Sequence, residues 1–112
     1  MLESYKLVAL ILKNARLIKN YSIRYASRKI DISDTELSRI ENGERKNYNM
    51  INLINLCELY SIDFVKLLKF TGYLKPEKED IKDNKLKWAD EFIDIINYKN
   101  YESEEFIFYI VL

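Results

Sequence analysis

The feature that most restricts this chain is its punctuation. Within the first 72 residues, Ser22, Ser33 and Asp63 are residue types that cap helix N-termini, and the only two glycines, Gly43 and Gly72, stand where helices stop. Between these marks apolar residues recur at helical spacing, so the chain folds as several short helices crossing one another, not as one long rod or a sheet. Leu7, Leu10, Ile11, Asn14 or Ala15, and Ile18 share a stripe that predicts a first helix over residues 4–19. Asn20-Tyr21 breaks it. Ser22 caps a second helix with Ile23, Ala26, Ser27 and Ile30 inward, ending near Asp31. Ser33-Asp34-Thr35-Glu36 has the form of a capping box, in which Ser accepts from the amide three residues on and Glu reaches back to the cap's amide. In that third helix Leu37 and Ile40 face inward, Asp34 favours the helix dipole, and Gly43 provides the left-handed stop. A fourth helix over residues 49–60 carries Met50, Leu53, Ile54, Leu56 and Cys57. A fifth, capped by Asp63, packs through Phe64, Val65, Leu67, Leu68 and Phe70 until Thr71-Gly72.

Pro76 marks a change. The charged entry "EKEDIKDNK" leads into Leu86, Ala89, Phe92, Ile93 and Ile96, with Trp88 and Ile95 on the flanks, which predicts a sixth helix over residues 77–98. "NYESEE" interrupts, and Ser103-Glu104-Glu105 has the form of another helix start. The closing "FIFYIVL" is apolar all round, so periodicity does not separate a buried helix from a strand; the reading adopted is a helix. The expected fold class is all-α, divided into residues 1–75 and a shorter helical segment over 76–112.

Composition agrees and excludes chemistry. At 112 residues, 48% apolar and 32% charged, with two Gly and one Pro, the chain has the profile of a helix-rich protein of one compact domain, or of a smaller domain with an appendage. It contains no His, and its one Cys, Cys57, sits at helical spacing among Leu53, Leu56 and Tyr60, the pattern of a buried structural thiol. The common zinc ligand sets and His-based nucleophile or acid–base arrangements cannot be assembled from such an inventory, so neither enzyme activity nor a cofactor is expected. No apolar run approaches the ~20 residues that span a bilayer, and the N-terminus lacks a signal-peptide layout, so the expected location is cytoplasmic, away from membrane. The zero net charge hides a split: thirteen Lys and Arg against eight Asp and Glu through Lys75 give +5, and five against ten thereafter give −5. The first part is suited to a polyanion.

Two helices joined by a tight turn, the second sharply capped, inside a five-helix basic unit is the helix-turn-helix layout. Residues Leu12 to Leu74 resemble the Cro/CI-type, or XRE, helix-turn-helix family, most strongly in "SIRYASRKIDISDTELSRIENGERKN" and again in "LCELYSIDFVKLLKFTGYL". The resemblance implies a five-helix, lambda-repressor-like domain that binds double-stranded DNA. It places Ser33, Asp34, Thr35, Ser38 and Arg39 on the helix presented to base edges and nearby phosphates, Ser22 near a phosphate, and Asn42, Arg45, Lys46 and Asn47 in a phosphate-contacting loop. Arg39 has the donor geometry for guanine N7 and O6, Thr35 a methyl for thymine, and Asp34 an acceptor for cytosine N4. Arg16 and Glu41 fall where the family pairs a helix-one arginine with a helix-three glutamate, a structural ion pair. Arg24, Arg28 and Lys29 read as solvent-facing, and Tyr21 and Tyr25 as packing groups. The chain departs from the family pattern at Ile23, where Gln is usual, at Asp31 in place of the turn Gly, at Ser27 in place of Ala, and at Tyr48 in place of Pro.

The C-terminal segment is too short for a core of its own, yet rich in aromatics. Its Trp88, Phe92, Ile95, Ile96, Phe106, Phe108 and Tyr109 either pack back on the first domain or join a second copy; homodimerisation is the reading adopted. A short helical multimerisation tail of this kind is similar to that of small regulators of the SinR type, and such a tail would also offer a surface to a protein antagonist. The expected function is a sequence-specific transcriptional repressor acting as a homodimer on operator DNA. The rival is a protein-interaction module or antagonist that keeps the fold, heterodimerises with another regulator and binds DNA weakly, which Ile23, Asp34 and the neutral total charge favour.

Overall fold

A computed structural model of the protein describes residues 2–98. It contains six α-helices: α1 Ser4–Ile18, α2 Ile23–Lys29, α3 Asp34–Glu41, α4 Met50–Leu59, α5 Phe64–Thr71 and α6 Ala89–Ile96. A 3-10 turn at Lys78–Asp80 and a small antiparallel hairpin, β1 Ile81–Lys82 and β2 Lys85–Leu86, lie between α5 and α6. The class is all-α, and the order of the first five helices is that of the lambda-repressor-like domain that the resemblance implies.

Helices α2 to α5 begin, and α1 to α4 end, where local chemistry dictates. The Ser22, Ser33, Asn49 and Asp63 side chains accept from the amides of Tyr25, Glu36, Asn52 and Lys66, at 2.9 to 3.1 Å. At the other ends one device recurs. Asn20, Asp31, Gly43 and Ser61 each take a left-handed conformation, and the following residue's amide reaches back over the helix end: Tyr21 to the Arg16 carbonyl, Ile32 to Ser27, Glu44 to Arg39 and Ile62 to Cys57. Asp31 thus fills the turn position that the family gives to glycine, with φ of +59°. Leu37, Leu56, Leu67, Val8, Ile11, Leu12 and Ala26 are fully enclosed between these helices.

Two expectations fail after Pro76. No helix spans residues 77–98: Asp83 and Asn84 take φ of +55° and +65°, the backbone a two-residue hairpin turn requires, and α6 starts only at Ala89. Asp and Asn tolerate this conformation better than most residues, and together they overrule the helical periodicity around them. The second correction concerns Phe92 and Ile96, two of the four described residues assigned to dimerisation. Phe92 and Ile96 are buried in the chain's own core, and Trp88 and Ile95 pack partly buried against it. α6 lies on α1 and α5, with Phe92 stacked on Phe70 at 5.0 Å. The Trp88 indole N–H donates to the Lys66 carbonyl at 3.2 Å. The buried Asn14 amide donates to the Ile95 and Ile96 carbonyls at 2.9 and 3.1 Å, satisfying the last turn of α6 from α1. Phe106, Phe108 and Tyr109, and the helix expected there, lie outside the described residues.

Candidate nucleic-acid interface

The helix pair α2–α3 is fixed from behind by buried groups. Leu37, Ile40 and Glu41 form the inner face of α3. Glu41 takes a two-point bond from Arg16, 2.7 Å to Nε and 2.9 Å to a terminal nitrogen, while the third Arg16 nitrogen donates to the Tyr21 carbonyl at 2.8 Å. The pair assigned from the resemblance therefore exists, and it clamps α1, the α1–α2 turn and the end of α3 together. Glu41 holds the Arg16 guanidinium still more firmly in its charged form. With every strong partner satisfied, this buried pair fixes geometry; removal of either member would leave a charge stranded.

A second brace lies nearer the surface. The enclosed Ser27 hydroxyl donates to an oxygen of Asp34, whose other oxygen stands 3.8 Å from Arg24 Nε. Asp34 thus ties α2 to the first turn of α3, and the Ser that replaces the usual Ala supplies the bond. Nothing local in the sequence signals it.

The outward residues follow from this bracing. Asp34, Thr35 and Arg39 are exposed on α3 and Ser38 is half-buried; Ser22, Ser33, Asn42, Lys46 and Asn47 are exposed around them. Ser22 and Ser33 are both occupied as caps. The Arg39 side chain makes no hydrogen bond or ion pair among the described residues, which leaves its donors available to an external acceptor. Arg45, assigned to the phosphate-contacting loop, makes a two-point bond with Glu36 through its guanidinium. That bond holds the Glu36 carboxyl below its ordinary range. It also explains why the expected capping box is only half made: Glu36 gives its carboxylate to a cation instead of to the Ser33 amide. The loop is secured further by Tyr48, whose hydroxyl donates to the Tyr5 carbonyl at 2.6 Å; burial pushes that phenol well above its ordinary range. Sequence reasoning marked Tyr48 only as a replaced proline.

Tyr21 and Tyr25 pack on one another with centroids 4.6 Å apart, a packing role as expected. Cys57 is 1% exposed and burial pushes its thiol up to about 12, so it is an inert core residue. Among the described residues no group of three or more Cys, Asp or Glu could hold a metal ion, and no helix is long and apolar enough to cross a membrane. Comparison with known families finds a match to the helix-turn-helix family over residues 12–67. No curated protein and no solved structure matches the chain.

Proposed function

From the premise that the chain belongs to the XRE-type helix-turn-helix family of DNA-binding transcription regulators, we propose that it is a sequence-specific repressor that reads operator DNA with α3. The observation that carries this reading is the two-sidedness of α3. Its inner face is immobilised through Leu37, Ile40 and Glu41, while Thr35 and Arg39 project outward between the Ser33 cap and the Asn42–Asn47 loop. Such a helix meets base edges at little cost in side-chain ordering, because the scaffold is already rigid. Arg39 supplies a forked donor for guanine, and Lys46 and Asn47 approach phosphates; Arg45 joins them with whatever donors Glu36 leaves. Binding occludes a promoter and needs neither cofactor nor chemistry, and the site of action is the cytoplasm.

One unit of this size covers few base pairs, so the active form is a homodimer on two half-sites about one helical turn apart. With Phe92 and Ile96 committed to the core and Trp88 and Ile95 half-covered by it, the joining of copies falls mainly to Phe106, Phe108 and Tyr109. Deleting residues 99–112, which spares α6, should convert dimer to monomer by light scattering; an unchanged mass would remove the segment from this role.

Selection of bound sequences from a random duplex pool tests the reading. Arg39→Ala should relax the preferred base at one position by ~1 to 3 kcal/mol, about five- to 150-fold, without changing affinity for random duplex. Lys46→Ala should weaken binding to all sequences alike. The engaged carboxylates at Asp34 and Glu36 favour the second reading, an antagonist that pairs with another regulator; a wild-type protein that selects no sequence yet captures another helix-turn-helix protein would support it instead.

A further inference from the structure

We propose that the cleft between the loop after α3, α4 and α5 is an effector site for a one-ring aromatic carboxylate, whose binding withdraws Lys46 from DNA. The site stands on the cleft itself; its effect on DNA rests on the docking reading above.

The cleft encloses about 180 Å3. Its floor is apolar, because Leu53 of α4 and Leu68 of α5 are only 2% and 8% exposed. The rings of Tyr48 and Tyr73 and the side chain of Met50 form its sides. Each side is held in place by bonds of its own. The Tyr48 hydroxyl donates to the Tyr5 carbonyl at 2.6 Å. Gly72, with φ of +92°, turns the chain off α5, and the Tyr73 and Leu74 amides both return to the Leu68 carbonyl, at 2.9 and 3.1 Å. Asn49 caps α4 through the Asn52 amide immediately before Met50. Proline, the family's usual residue at position 48, has neither ring nor hydroxyl to offer, so this wall belongs to this chain and not to the family's common form. A preformed cleft costs a ligand little reorganisation. A closed apolar cavity of about 150 Å3 holds benzene, so the volume suits a single aromatic ring and is too small for fused ring systems.

The mouth decides the rest of the ligand. Lys46 and Asn47 line it, and no Asp or Glu does. Neither side chain makes a hydrogen bond or ion pair among the described residues, and nor does the Tyr73 hydroxyl. An ammonium, an amide and a hydroxyl therefore stand unengaged around an apolar floor, and the complement is a flat apolar group that ends in an anion. A ring carboxylate meets both requirements, with its oxygens at Lys46 and Asn47 and its ring on the two leucines beside the Met50 thioether. Inorganic phosphate would leave the floor wet. In the docking reading Lys46 and Asn47 are the residues that approach DNA phosphates, so a carboxylate on Lys46 cancels its charge toward the duplex and weakens binding.

The probe is sodium benzoate, compared with benzamide, which keeps the ring without the charge, and acetate, which keeps the charge without the ring. NMR shifts of the full chain without DNA read the site. Benzoate should give saturable shifts at Leu53, Leu68 and Lys46 to Met50, benzamide should bind about fivefold more weakly, and acetate should shift none of them. In Lys46→Gln, benzoate and benzamide should bind alike. Fluorescence anisotropy with a random-sequence duplex then reads the coupling. Relative to an equal concentration of acetate, saturating benzoate should weaken duplex binding and flatten the plot of log affinity against log salt by about 1, one phosphate contact. Tyr73→Ala, outside the DNA-facing residues, should bind duplex as wild type does and lose the benzoate effect. No saturable shift in the cleft, or equal shifts with acetate, overturns the site; saturation with unchanged duplex affinity overturns its effector role. If Arg39→Ala still relaxes base preference in either case, the α3 reading survives alone. A wild type that takes benzoate in the cleft but binds no duplex at low salt overturns the docking reading and leaves the site standing.

Discussion

α3 and α6 are both eight-residue helices, yet their ends are held differently. α3 is closed by its neighbours in sequence: Ser33 takes the Glu36 amide, and Gly43 and Glu44 return to the Ile40 and Arg39 carbonyls. α6 has no side-chain cap at its start, and although Asn97 and Tyr98 return to the Ile93 and Ile95 carbonyls, the Ile95 and Ile96 carbonyls also take the amide of Asn14, 81 and 82 residues away. Both depend on α1 through one buried polar side chain, Arg16 for α3 and Asn14 for α6. The difference teaches that α3 is bounded largely by its own local contacts and uses tertiary ones for orientation, whereas α6 leans on the core beneath it.

The largest effects should come from removing the tertiary ties. Arg16→Ala or Glu41→Ala strands a buried charge and should cost ~3 to 5 kcal/mol in urea denaturation. Phe92→Ala, which empties the contact with Phe70, should cost a similar ~3 to 5 kcal/mol. The two differ in where the loss appears: hydrogen exchange should accelerate in α6 for Phe92→Ala, and around the α1–α2 turn and α3 for the ion-pair variants. Asn14→Ala should come next, at ~1 to 3 kcal/mol, because the Ile96 carbonyl loses its side-chain donor and the Ile95 carbonyl keeps only its backbone one, with α6 amides losing protection before those of α3. Equal loss in both helices would erase the distinction between them. Ser33→Ala should cost only ~1 kcal/mol, confined to α3.

Acid should produce the smallest change. Each region has one carboxylate–cation clamp near the surface, Glu36 with Arg45 and Asp80 with Lys69. The hydrogen bond from the partner lowers the carboxyl in each case. A carboxyl depressed in the folded state stabilises fully above its unfolded pKa, and that contribution fades as pH falls below ~4 toward the folded value. Stability should therefore be flat at neutral pH and decline modestly in acid; Glu36→Gln and Asp80→Asn should each reduce the decline.

The contrast between the helices also explains what the sequence made legible. Ser22, Ser33, Asp63, Gly43 and Gly72 act within a turn of their own positions, so the boundaries of α2, α3 and α5 follow from local chemistry. Glu36 misled because its carboxylate had two possible partners, and the guanidinium nine residues onward is the stronger. Asp83-Asn84 carried a turn signal that the surrounding helical periodicity masked. The roles of Asn14, Ser27 and Tyr48 depend on residues brought together only by folding, and no local pattern announces them. On the candidate interface, exposure of Thr35 and Arg39 was readable from helical spacing, whereas the commitment of Asp34 and Arg45 to intramolecular partners was not.

The central claim is that the outward face of α3 docks on duplex DNA while α6 stays uninvolved. Backbone amide NMR shifts measured during titration with a random-sequence 20-bp duplex test it most directly. The account predicts changes at Ser22, along residues 33–39 and at Arg45 to Asn47, with the amides of Ala89 to Ile96 unmoved. Shifts centred on α6, or none at low salt, would contradict it.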